Sequence, residues 1–199
     1  MSIRPFSFSF LTIASLLMCG IAHSEGGGGP MVQSAMTQSD HSGTHGFDFF
    51  FGLWQVHNRR LKQRLAGSSE WEEFEATSDC HPILGGVGNQ DEFLSPYRPG
   101  FIGMSLRLYD PQTQKWSIYW LDNQSVVLQP PVVGQFSGSV GVFEGPDEFN
   151  GKPIVVRYVW SRIDTSTPRW EQAFSTDHGK TWETNWIMDF HRINARLGG

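Results

Sequence analysis

Short alternating runs, separated by turn residues, constrain this chain more than any other feature. Runs at 53–64, 70–80, 89–95, 101–109, 115–121, 132–137, 140–145, 153–163, 169–175 and 181–192 read as strands. The separators are turn chemistry: Ala66-Gly67-Ser68, Leu84-Gly85-Gly86, Asp110-Pro111, Ser137-Gly138-Ser139, Asn150-Gly151 and Asp177-His178-Gly179. Asn150-Gly151 is the strongest hairpin signal, because both residues of such a turn take positive φ. No stretch keeps a 3.6-residue apolar period. Ten strands joined by short turns predict an all-β antiparallel meander. A sheet that long must remove its edges, so an up-and-down barrel of about ten strands is expected.

The composition agrees with a folded core. Charged residues are only 18% of the chain and aromatics 14%, with 8 Trp and 15 Phe, the opposite of a disordered composition. The net charge is -5, which disfavours phosphate backbones, and no nucleic-acid partner is expected. Nothing in the sequence sets an oligomeric state.

The N-terminus sets an expected compartment. Residues 1–24 read as a signal peptide: Arg4 supplies the positive charge, Phe6 to Ala22 is mostly apolar, and Ala22 and Ser24 are the small residues before a cleavage point. The expectation is a secreted or periplasmic protein with no membrane span after signal cleavage. Leu16-Leu17-Met18-Cys19 resembles a lipobox, but Met18 stands where that motif carries a small residue, which argues against lipid anchoring at Cys19. Residues 25–46, opening with Gly26 to Gly29, read as a flexible Gly/Ser/His linker. His41 and His45 lie in it without further ligands and read as solvated. The barrel is expected over 47–193, with 194–199 as a tail. Cleavage leaves Cys80 with no disulfide partner, and a lone cysteine in a strand reads as a small buried apolar residue rather than a nucleophile.

Two hairpins predict which face is inside. Pairing Leu108 with Trp116 puts Met104, Leu106, Leu108, Trp116, Ile118 and Trp120 inward, with Arg107, Lys115, Ser117 and Tyr119 outward. Pairing Phe174 with Trp182 also pairs Trp170 with Trp186, and that inner row continues through Met188, Phe190 and Arg192. Glu171, Glu183, Asn185, Asp189 and His191 then face out. Ile154, Val156, Tyr158 and Trp160 form a third inward row. Asn58, Arg60, Gln172 and Thr184 are the polar members of the inward rows, and such groups need partners or a ligand. The pattern leaves open whether the rings fill the barrel or line a cavity.

Phe49-Phe50-Phe51-Gly52-Leu53-Trp54 resembles the G-x-W start of the lipocalin-like barrels of the calycin group. That resemblance implies a short turn, then Gly52 and Trp54 at the barrel base, with Arg192 of the closing strand packed over Trp54. The stretch 47–193 is also similar to a bacterial family of lipocalin-like domains of unknown function, through Trp54 to Arg60 and Trp170 to Arg192. The chain has no clear second lipocalin motif, so the resemblance is to the broader superfamily. It implies small-molecule binding. Separately, Ser175 to Trp182 fits the Asp-box pattern S-x-D-x-G-x-T-W of sialidase-type propellers. It occurs once here and reads as a structural hairpin tip, with Asp177 capping the turn, Gly179 inside it and Trp182 beneath.

Tests for chemistry return little. No G-x-S-x-G, H-E-x-x-H, C-x-x-C or Walker sequence occurs, and no metal or cofactor is expected. Glu72, Glu73 and Glu75 are expected to face water. The leading expectation is an exported barrel holding a largely apolar or aromatic ligand among Trp120, Tyr158, Trp160, Trp170 and Trp186. Asn58, Arg60 and Gln172 would orient its polar end, with Arg60 favouring an anionic group. The alternatives are an isomerase, cyclase or hydrolase on the same barrel, a carbohydrate-binding module with Trp faces exposed to sugars, and a haem barrel. For the last, nitrobindin-type barrels carry their iron ligand on a late strand, where this chain has His191, out of phase with the inner face.

Overall fold

A computed structural model of the chain describes residues 42–193. The signal-peptide reading of 1–24, the linker reading as far as residue 41 and the tail reading of 194–199 lie outside the described residues. Ser42 to Gly46, at the end of the stretch read as linker, carry a 3-10 turn at Gly43–His45. A second 3-10 turn, Asp48–Phe50, follows at once.

Ten strands come next: β1 (Gly52–Leu61), β2 (Trp71–Ile83), β3 (Gly88–Leu94), β4 (Ile102–Asp110), β5 (Lys115–Asp122), β6 (Val132–Ser137), β7 (Val140–Phe149), β8 (Lys152–Ser161), β9 (Arg169–Ser175) and β10 (Glu183–Arg192). Each pairs antiparallel with its chain neighbours, and β1 pairs with β10 to close the barrel. The all-β up-and-down barrel expected from the alternation is the fold observed. Asn150 (φ 53°) and Gly151 (φ 76°) both take the left-handed region, as their hairpin requires.

Strand direction gives the barrel two ends. The base holds the loops after β2, β4, β6 and β8 together with the two 3-10 turns. The mouth holds the loops after β1, β3, β5, β7 and β9. The base is plugged by rings. Phe47 is fully buried, edge-on to Trp116 at 5.0 Å and to Phe136 at 4.9 Å. Phe50 stacks on Trp54 at 5.8 Å and leans on Trp160 at 4.8 Å. The Trp54 indole N–H donates to the Phe50 carbonyl at 2.7 Å, which satisfies its one polar atom inside the core. The Arg192 guanidinium lies 4.1 Å over the Trp54 ring and donates to the carbonyls of Phe51 and Phe49. β10 is thereby fastened to the turn that precedes β1.

Two registers differ from expectation. In the β4–β5 hairpin Trp116 pairs with Tyr109, and Leu108 pairs with Ser117. Asp110 caps the turn, accepting from the Gln112 amide and the Thr113 hydroxyl, and Asp110 pairs with Lys115, so the turn holds one residue more than expected. Gly103, Ser105, Arg107 and Tyr109 therefore line up with Trp116, Ile118 and Trp120 inside, while Met104, Leu106 and Leu108 turn outward.

In the last hairpin Trp170 pairs with Met188, and Trp186 pairs with Gln172. Trp182 belongs to the hairpin tip rather than to a strand pair. A bulge between Thr184 and Trp186 turns Asn185 inward, fully buried, and leaves Thr184 exposed. Glu72 also departs from expectation: it pairs with Arg60 on the inner row, while Glu73 and Glu75 face out with His57. No helix among the described residues is long and apolar enough to cross a membrane.

Candidate functional site: a hollow barrel interior

The interior is a cavity of about 670 Å³. One wall is a chain of rings running across the sheet. Tyr158 on β8 meets Trp170 on β9 at 4.8 Å, and Trp170 meets Trp186 on β10 edge-on at 5.8 Å. Trp186 continues to Phe74 on β2 at 6.3 Å, and Phe74 stacks under Tyr97 of the β3–β4 loop at 4.8 Å. Across the cavity, Trp120 on β5 stacks with Phe101 at 6.5 Å. Gly103 makes room for Trp120: a Cβ there would collide with the indole ring. Trp160 closes the space toward the base.

The expected ligand residues Arg60, Trp120, Tyr158, Trp160, Trp170, Gln172 and Trp186 all line this cavity. Asn58 does not. It is fully buried behind the wall, where its side-chain oxygen accepts from the Trp186 indole N–H at 3.0 Å and its amide donates to the Val56 carbonyl. Its place is that of a support for Trp186. Gln172 donates to Asn185 at 2.8 Å, a residue that the bulge turns inward.

Arg60 is already engaged. Its Nε and Nη2 both donate to one Glu72 oxygen, at 2.8 and 2.6 Å, and the guanidinium lies over the Phe74 and Trp186 rings. The Tyr97 hydroxyl donates to the other Glu72 oxygen at 2.6 Å. This bond from Tyr97, aided by Arg60, holds the Glu72 carboxyl below its usual range. The anionic partner expected for Arg60 is thus supplied by the protein. The Tyr158 hydroxyl titrates far above its ordinary range because burial penalises the phenolate, so it remains a neutral phenol. No acceptor or donor among the described residues bonds it.

The alternation missed a polar cluster on the base side of the cavity. Arg107, 96% buried, projects inward from β4 beneath the rings of Phe47 and Phe50, at 5.2 and 5.0 Å. Its Nη1 sits 2.6 Å from Asp91 Oδ1 on β3 and donates to Asn89 at 3.1 Å. Ser78 on β2 donates to the other Asp91 oxygen at 2.8 Å. A signal existed: Gly103, Ser105, Arg107 and Tyr109 share a strand face, and placing Tyr109 opposite Trp116 would have turned that face inward. Arg64 is a further missed residue. It stands at the mouth over the Phe149 and Phe174 rings, and burial lowers its guanidinium from the ordinary range.

Other candidates lie off the cavity. His191 is exposed on the outer face of β10. Cys80 is buried beside Asn89, and desolvation pushes its thiol up to about 12, so it carries no thiolate at neutral pH.

The Asp-box forms the β9–β10 tip at the mouth. Asp177 accepts from the Thr181 and Lys180 amides and the Thr181 hydroxyl, and Ser175 ties it to the strand end. The Thr181 amide is the largest of the causes that hold the Asp177 carboxyl far below the ordinary carboxylate range. Trp182 donates to the Gly179 carbonyl, and the Arg157 guanidinium covers its ring at 4.0 Å. A depressed pKa stabilises the fold above the unfolded-state value and is lost as pH falls through the folded one. Asp177→Ala is therefore expected to lower Tm by the same amount across neutral pH, with the gap to wild type narrowing only below about pH 4. A gap that stays constant down to pH 2 in thermal scans would show that the charged carboxylate is not what holds the tip.

A comparison with known protein-family models finds no match for this chain, and no curated protein matches it. The class rests on geometry: a closed ten-stranded antiparallel barrel, plugged at one end and hollow within, a form compatible with the lipocalin-like architecture.

Proposed function

We propose that this chain is an exported, lipocalin-like barrel that binds a small, largely aromatic or apolar molecule in its interior. One observation carries the reading: a cavity of about 670 Å³, plugged at the base and walled by Tyr158, Trp170, Trp186, Phe74 and Trp120. Ligand sites of this kind are mostly apolar with a few placed polar groups, and their volumes fall in the range of about 300–1,000 Å³. The pre-ordered rings cost little to immobilise when a flat molecule enters between them. Membership of the calycin group is part of the same proposal, supported by the position of Arg192 over Trp54. Export is supported by the pattern of residues 1–24.

Native mass spectrometry of the protein from its own host tests both halves. A retained small molecule, and a mass fitting a chain that starts at Glu25, are the expected results. A full-length mass would reject export as read here. For binding, titration with N-phenyl-1-naphthylamine is expected to give a saturable fluorescence increase. Ser105→Phe, which puts a ring into the cavity, is expected to weaken that binding by about tenfold or more at unchanged Tm. Equal binding by wild type and Ser105→Phe would place the probe outside the barrel.

A further inference from the structure

We infer that the base side of the cavity is a head-group site for a planar, neutral amide-type group, a carboxamide or lactam, on an aromatic body. This inference rests on the binding reading above and adds the chemistry of one end of the ligand.

Three groups converge there from adjacent strands: Ser78 on β2, Asp91 on β3 and Arg107 on β4, with Ser105 beside them, all facing the cavity. The bonds of the Arg107 guanidinium run through Nη1, and its Nε, although buried, has no partner. Asp91 Oδ1 lies 2.6 Å from Nη1, close enough to match the charges, yet off the angle of a hydrogen bond, so it too lacks a bonded donor. A buried N–H without a partner thus stands beside a carboxylate oxygen that is ion-paired but has no aligned hydrogen bond, and the buried Asn89 amide nitrogen also lacks a partner. Such groups carry a desolvation cost that a ligand removes by bonding them. At the mouth, water already solvates the polar groups, so a head group gains less there.

The pairing selects the charge of the head. Arg107 is neutralised by Asp91, and Ser78 holds that carboxylate in place. A ligand carboxylate would bring a second anion against Asp91 in a site that excludes water, which is unfavourable. A carbonyl accepting from Arg107 and an adjacent N–H donating to Asp91 Oδ1 gives the guanidinium an acceptor and the paired carboxylate an aligned donor without adding charge. Phe50 and Phe93 are among the rings that line the cavity.

Three probes of one shape test this: 2-naphthamide, 2-naphthoate and 2-methylnaphthalene, titrated by calorimetry into the barrel. The amide is expected to bind about tenfold tighter than either of the others, the scale of one to two buried hydrogen bonds. Asp91→Asn frees the charge of Arg107, so naphthoate is expected to gain about tenfold and to overtake the amide. A second readout needs no variant: the carbonyl stretch of 13C-labelled naphthamide is expected to move to lower frequency on binding, as a guanidinium bond requires. Naphthoate binding as tightly as the amide in wild type, an unmoved carbonyl band, or an unchanged ratio in a folded Asp91→Asn protein would each overturn the head-group site. If all three probes bind alike, the cavity binds ligands and only this inference is wrong. If none binds, the binding reading falls with it.

Discussion

Trp54→Ala is expected to cost about 3–5 kcal/mol of folding stability, at the upper end for a truncated buried aromatic. Trp54 is 2% exposed and stacks on Phe50, while Phe190 meets it edge-on at 6.2 Å. Removing the indole leaves a void in the plug that the closed sheet cannot collapse to fill. It also leaves the Phe50 carbonyl without its donor and Arg192 without the ring beneath it. In a domain of this size that is a fall of roughly 10 °C or more in Tm. Urea titration gives the direct measure. A loss below about 1 kcal/mol would mean that the base does not hold the barrel shut.

Gly134→Ala is expected to do still more, leaving little folded protein. Gly134 lies on the inner row of β6, where β6 crosses close over β7. A Cβ there would overlap the Val142 carbonyl oxygen and come within 2.7 Å of the Phe143 Cα. Both obstacles are backbone, so no side-chain rotation relieves them, and the strands would have to part. β5 and β6 share only three registered pairs, so this stretch of wall has few bonds to spare. Gly138→Ala is the control, because the turn at Gly138 is open on every side and its cost is confined to backbone strain at φ 59°. Soluble yield and circular dichroism distinguish the two. A Gly134→Ala protein with wild-type Tm would show that the wall is looser than its geometry.

The strands were legible because period-two alternation and turn residues are local signals. All ten runs became strands, several within a residue of the expected ends. Register was less legible, and the reason lies in the cavity. On β4 the sequence offers Met104, Leu106 and Leu108 against Ser105 and Arg107, and apolar-inside reasoning takes the first set. A filled core would honour that choice. A hollow barrel places polar groups on its inner wall and leaves some apolar side chains outside, so the rule inverts where a ligand site would be. On β10 the one-residue bulge at Asn185 has no mark in the alternation, and it turns Asn185 inward, in place of Thr184, to bond Gln172.

Trp120, Tyr158, Trp160, Trp170 and Trp186 are legible as lining rings because they stand in phase on β5, β8, β9 and β10, whereas Phe74 on β2 is not. Arg60 lines the cavity and Asn58 lies buried behind its wall, and the sequence does not show what each one bonds. Trp186 takes up the oxygen of Asn58, and Glu72 takes up the charge of Arg60. Whether a polar inward residue is spent on the protein or kept for a ligand is decided by partners on other strands, beyond the reach of a local pattern. Arg107 shows the opposite case. It was placed outside, yet it holds a buried donor with nothing bonded to it.

The β1–β10 seam carries the largest loop-closure cost of any strand pairing in the barrel. Every other pairing joins strands that follow one another along the chain, so each can zip across a short loop at small entropic cost. The seam alone must bring together segments from opposite ends of the domain, and it is expected to gain its bonds only after the meander exists. Contacts formed that late weigh on the rate of opening rather than the rate of assembly. Arg192, clasped over Trp54 across the seam, is in those terms a latch that sets how long the closed barrel lasts once made.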